Sequence, residues 1–115
     1  MTVNRALLAA ALVAASGLSI GVAQAGDAAA GQVRSRSCAV CHGTNGIAGM
    51  PNVPSLAAQN EQYLLKALGD YKSGARKDDM MNLIVQRLTD EDVANLAAYY
   101  AGLGMAAGPT APVAQ

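Results

Sequence analysis

The chain contains no phenylalanine and no tryptophan, and its four tyrosines are its only aromatic residues. Large rings normally supply much of a small core, and domains under about 100 residues are marginal even with them. A chain this poor in bulky side chains therefore needs another body to fill its interior. Histidine occurs once and cysteine twice, too few for the four ligands that a structural zinc ion usually takes from such residues. Charge is also scarce: eight Lys and Arg balance eight Asp and Glu. No basic footprint exists for nucleic acid, which is excluded as a partner.

The 52% hydrophobic content is unevenly placed. Arg5 precedes an unbroken apolar run from Ala6 to Ala15, and Ala23-Gln24-Ala25 forms a small-x-small site before Gly26. This is the pattern of a secretory signal peptide over residues 1–25, cleaved after Ala25, and it predicts export to the periplasm. The rival reading, an uncleaved anchor, is disfavoured because Ser16 and Gly17 interrupt a run already short for a membrane span. Loss of the leader removes Arg5, so seven basic residues face eight acidic ones and the mature net charge is −1.

In an oxidising compartment two cysteines suggest a disulfide. Their spacing points elsewhere, because Cys38-Ala39-Val40-Cys41-His42 is C-x-x-C-H, the attachment sequence of c-type haem. Two thiols separated by two residues match the two vinyl groups of the porphyrin, and the adjacent imidazole is placed to ligate iron. A thioredoxin-like pair would need a βαβ context, and no alternating strand-like segment precedes Cys38. The single motif predicts one covalent haem c, with its iron, held through Cys38 and Cys41. That haem is also the body around which Ala, Leu, Val and Tyr can pack.

The rest of the chain reads as helices and loops, an all-α class. Asp27 caps a first helix running to about Ser37, with Gly31 marking a close approach to another element. Gly43 to Leu56 is a loop rich in Gly and Pro. Asn60 caps a helix with Tyr63, Leu64, Ala67, Leu68 and Tyr71 on one stripe, and Gly74 stops it. A short helical stretch carries Met80, Met81, Leu83 and Ile84. Thr89-Asp90-Glu91-Asp92 opens a last helix with Val93, Leu96, Ala97 and Tyr100 on one face, ended by Gly102 and Gly104. Residues 26–104 form the domain, and 105–115, rich in Ala, Pro and Gly, a loose tail.

The ordered set of motifs resembles the single-domain class I cytochromes c of the bacterial c4/c5/c553 group. The likeness runs from Cys38–Gly43 through Asn52-Val53-Pro54-Ser55-Leu56-Ala57-Ala58-Gln59, Tyr63-Leu64 and Tyr71-Lys72-Ser73-Gly74-Ala75-Arg76. It continues in Met80-Met81, Leu88-Thr89-Asp90-Glu91-Asp92 and Leu96-Ala97-Ala98-Tyr99-Tyr100. It implies a small fold of about four short helices wrapped around one haem. It implies that His42 is the proximal ligand, that its other ring nitrogen donates to the backbone oxygen of Pro54, and that Leu56 packs on the haem. Without a second histidine, the sixth ligand is expected to be methionine, a soft thioether that favours reduced iron. In similar proteins it precedes the Leu of a Leu-Ser/Thr-Asp motif by seven residues, which gives Met81 from Leu88, with Met80 as runner-up. Gly31 is implied to let the first helix cross the last near Tyr99 or Tyr100, although the polar run Arg34 to Ser37 predicts a thin contact. Gln59, Tyr71 and Arg76 are candidates to reach the propionates.

The function that follows is one-electron transfer, with no substrate reaction catalysed. The expected partners are periplasmic or membrane redox proteins met transiently by a monomer. Two alternatives differ from a free carrier: a cytochrome subunit of a periplasmic dehydrogenase complex, and an open-site haem enzyme or gas-binding protein.

Overall fold

The computed structural model describes residues 25–104; the segments expected to be signal peptide and tail lie outside the described residues, apart from Ala25. Within them the chain is helical, with no strand. The helices are α1 (Ala28–Arg34), α2 (Ala39–His42), α3 (Glu61–Ser73), α4 (Asp79–Val85) and α5 (Asp90–Gly102), and a 3-10 turn (Ser35–Ser37) joins α1 to α2.

The starts of α1, α3, α4 and α5 are each set by a side chain that accepts orphan backbone N–H groups. Asp27 accepts from Ala29 and Ala30, Asn60 from Tyr63, and Asp78 from Met80 and Met81. Thr89 and Asp92 form a reciprocal capping box: the Thr89 hydroxyl accepts from Asp92 N and the Asp92 carboxylate from Thr89 N, both at 3.0 Å. Gly74 closes α3 in the left-handed conformation. The first helix is not continuous to Ser37. The Ser35 hydroxyl donates to Gln32 O at 2.8 Å, a local bond that competes with helix propagation, and the backbone tightens into the 3-10 turn before C-x-x-C-H starts a turn of its own.

The core is one cluster of Leu64, Val85, Leu88, Val93, Leu96, Ala97 and Tyr100. The apolar face expected for α5 is the buried one, joined by Asn95. On α3 the expected stripe is only partly inside: Leu64 is buried, whereas Tyr63 is half-exposed because its hydroxyl meets Arg76.

α1 crosses α5 in the most extensive helix contact of the described residues, so the predicted thin contact is corrected. A Cβ at Gly31 would stand 2.0 Å from Asn95 O and 2.8 Å from Tyr99 Cβ, so the two backbones meet only because residue 31 has no side chain. Polar groups then complete the crossing. Asn95 Oδ1 accepts from Asp27 N at 2.7 Å, Arg34 donates to Arg87 O at 3.2 Å, and Arg34 pairs with Asp92 at 3.2 Å. The contact rests on backbone approach and polar side chains rather than on a large apolar residue.

Candidate haem site

The attachment pentapeptide folds as a single helical turn. Cys41 N and His42 N both donate to Cys38 O, at 3.2 and 2.9 Å, and Gly43 N donates to Ala39 O at 2.9 Å. Cys38 and Cys41 therefore stand three residues apart on one turn, with His42 beside Cys41. Val40, between them, is 81% exposed, whereas both thiols are partly buried. Gly43 ends the turn at φ +83°, where a Cβ would lie 2.0 Å from Ile47 O, so the chain bends sharply away immediately after the histidine.

No disulfide joins the two cysteines. Burial pushes the Cys38 thiol above its ordinary value, against the lowering influence of Ser37, Tyr100 and Arg34 beside it. Attachment of a haem here would join each sulfur to one carbon of a vinyl group and place a hydrogen on the other, with nothing released.

His42 is buried, and its Nδ1 lies 2.8 Å from Pro54 O. A carbonyl only accepts, so Nδ1 carries the hydrogen and Nε2 keeps its lone pair. That is the tautomer an imidazole needs in order to ligate iron through Nε2.

The loop that brings Pro54 to His42 is held at several points. Leu56 N and Ala57 N both donate to Gly46 O, at 2.7 and 3.1 Å, and Ala48 N donates to Ser55 Oγ at 3.0 Å. Ala58 N donates to Tyr100 O at 3.0 Å, which ties the far end of the loop to α5. Gly46, at φ +76°, passes so close to Tyr100 that a Cβ would meet its ring at 3.2 Å.

Cys38, Leu56 and Met81 all pack, half-buried, against the same core cluster. The remaining methionines divide by position. Met80 is 61% exposed and Met50 51% exposed, and Met1 and Met105 lie outside the described residues. Arg76 lies 4.6 Å above the Tyr71 ring and donates to Tyr63 Oη at 3.4 Å, while Gln59 accepts from Asn60 N. Arg76 and Tyr63 are exposed and meet beside the half-buried Tyr71.

The residues fit a covalent haem. Two thiols, an imidazole with a free Nε2, a half-buried thioether and a rim of half-covered apolar side chains occur together. Tyr100 Oη is buried without a hydrogen-bond partner. Among the described residues no three His, Cys, Asp or Glu meet in a way that would hold a metal ion directly. The sequence pattern places Tyr100 on the apolar face of the last helix, near the Gly31 crossing, and gives Gly46 no role beyond the loop. The signal available was the second ring of Tyr99-Tyr100 in a chain with so few.

Residues 27–103 match the Cytochrome c family model. The chain belongs to the cytochrome c family. It is 46% identical over 88 residues to cytochrome c4 of Pseudomonas aeruginosa, a match spanning 76% of this chain and 44% of that protein. It is 43% identical over 79 residues to cytochrome c-554(548) of Halomonas halodenitrificans, spanning 66% of this chain and 95% of that one. The crystal structure of reduced recombinant cytochrome c4 from Pseudomonas stutzeri superposes with a TM-score of 0.66 at 40% identity, covering 70% of this chain and 47% of that one. The chain thus spans less than half the length of the cytochrome c4 relatives but nearly all of cytochrome c-554(548). With the family come the class I cytochrome c fold and a covalently attached haem c with iron, for which Cys38 and Cys41 stand in the C-x-x-C-H motif.

Proposed function

We propose that the chain is an exported one-electron carrier with a single haem c, working in the periplasm after cleavage behind Ala25. The observation that carries the reading is the fixed His42 ring, with Nδ1 donating to Pro54 O, on the same helical turn as the two cysteines. Bound haem iron supplies the chemistry, alternating between ferrous and ferric by one electron. Cys38 and Cys41 tether the ring at two points, which keeps the group in place in both states. The Pro54 carbonyl holds the imidazole in one tautomer and raises its basicity. Met81 is the sixth ligand. It lies half-buried against the same core cluster as Leu56, whereas Met80 is turned to solvent, and its thioether favours the ferrous state.

A closed coordination shell changes charge without making or breaking bonds, and Leu56 and its neighbours exclude water. The group therefore carries an electron and transforms no substrate. A mature charge of −1 gives little long-range steering, so partners are periplasmic or membrane redox proteins that meet a monomer briefly. Redox titration of the exported protein tests the reading. A single one-electron transition with a ferrous form that resists carbon monoxide at neutral pH is expected. Ready carbon monoxide binding would assign an open-site haem protein, and purification only within a stable complex would assign an enzyme subunit.

A further inference from the structure

One buried polar atom is unaccounted for by haem ligation. Tyr100 is 4% exposed, and its Oη has no hydrogen-bond partner. A buried hydroxyl left unpaired is costly, and such atoms are rare in folded proteins. The polar atoms beside it are Ser35 Oγ and Cys38 Sγ.

Their hydrogens decide what each can do. Ser35 Oγ–H is committed to Gln32 O at 2.8 Å, so toward the phenol Ser35 has only an acceptor to offer. Ser37 Oγ–H is committed to Arg34 O at 3.2 Å and stands 4.0 Å from Cys38 Sγ. As a free thiol, Cys38 has a hydrogen of its own. Once its sulfur is a thioether that hydrogen is gone, and Sγ only accepts. Neither neighbouring serine has a hydrogen to spare, and the one uncommitted donor is the Tyr100 phenol.

We propose that Tyr100 is a positioning residue for the haem attachment, its phenol donating to the Cys38 thioether sulfur. The bond satisfies the orphaned hydroxyl, fixes one of the two tethers against α5 and draws electron density from the sulfur and the ring attached to it. Ferrous iron is thereby favoured, and the reduction potential is raised. This rests on haem attachment at Cys38, which intact mass verifies separately in every variant.

The test uses the holoprotein and Tyr100→Phe, which keeps the ring and removes only the hydroxyl. The expected result is a lower reduction potential, a shifted carbon–sulfur stretching band in resonance Raman spectra and a lower unfolding midpoint. Ser35→Ala is expected to leave the potential and the band where they are. Should Tyr100→Phe fail to accumulate, the wild-type holoprotein carries the test alone: the carbon–sulfur band is expected to shift between H2O and D2O. An unchanged potential and band in Tyr100→Phe, an unmoved midpoint, equal effects from Ser35→Ala, or no isotope shift in wild type would each overturn the proposal. Haem-free mass would instead count against attachment itself.

Discussion

The crossing of α1 and α5 and the stretch from α2 through α4 hold the domain together by different means. At the crossing, protein meets protein. Gly31 lets two backbones touch, Asn95 caps the entry at Asp27 N, and Arg34 reaches both Arg87 O and Asp92. From α2 through α4, only Ala57, His42, Leu64, Val85 and a few glycine contacts are tightly enclosed. Leu56, Leu68, Tyr71 and Met81 are half-covered, and Met80 and Leu83 face outward. The difference shows how a chain without Phe or Trp forms a domain. One region is completed by its own atoms, and the other is arranged around thiols and an imidazole, with the haem as its largest apolar body.

The strongest break of this comparison removes the tethers. Cys38→Ala with Cys41→Ala, made in the exporting host, is expected to yield a largely unfolded chain, because a domain this short lacks the apolar side chains to fold alone. A cooperative thermal transition with strong helical circular dichroism in that variant would place the stability in the protein-only crossing instead.

Within the crossing, Gly31→Ala puts a methyl 2.0 Å from Asn95 O, so the helices must move apart. The expected loss is about 1 to 3 kcal/mol or more, read from denaturant midpoints. Leu96→Ala in the core is expected to cost about 2 to 5 kcal/mol. Leu83→Ala, at an exposed position of α4, is expected to stay within about 0.5 kcal/mol. Equal losses at Leu96 and Leu83 would mean that α4 is packed in solution more fully than its exposure implies.

Smaller effects sharpen the picture. Thr89→Ala breaks the capping box of α5 and is expected to cost about 1 kcal/mol. The Thr89 backbone N–H, and then the Arg34 charge, hold the Asp92 carboxyl below its ordinary value of 3.8. A carboxyl whose folded value is depressed stabilises above its unfolded value and loses that contribution as pH falls through the folded one. Wild type is thus expected to lose more stability than Asp92→Asn below about pH 4, by unfolding measured across acid pH. At the other extreme, burial pushes the Tyr100 phenol well above 10.0. A raised folded value means stability lost as pH climbs past 10.0, a loss that Tyr100→Phe is expected to lack.

Much of this was legible because it is local. Asp27, Asn60 and Thr89 announce helix starts, since a capping oxygen needs only its own next few residues, and Gly74 announces a stop for the same reason. The C-x-x-C-H motif and its helical turn are equally local. What was not legible depends on residues far apart in the chain. The Arg34–Asp92 pair and the Asn95–Asp27 bond close the α1–α5 crossing through polar groups, which hydrophobic patterning does not count. The half-exposed Tyr63 departs from its apolar stripe because Arg76 captures its hydroxyl. Tyr100 read as core, and that is where its ring lies, but its orphaned hydroxyl beside Cys38 emerges only when α5 and the attachment turn are placed together.

The central claim is that His42 and one specific methionine close the iron of a tethered haem. Its most direct test compares Met81→Ala with Met80→Ala in the exported holoprotein. Met81→Ala is expected to abolish the far-red absorption band of methionine-ligated ferric haem, lower the reduction potential and open the ferrous iron to carbon monoxide, while Met80→Ala keeps all three properties. Exchange of the two outcomes would move the ligand to Met80 and contradict the assignment, and an unchanged spectrum in both would contradict methionine ligation from α4 altogether.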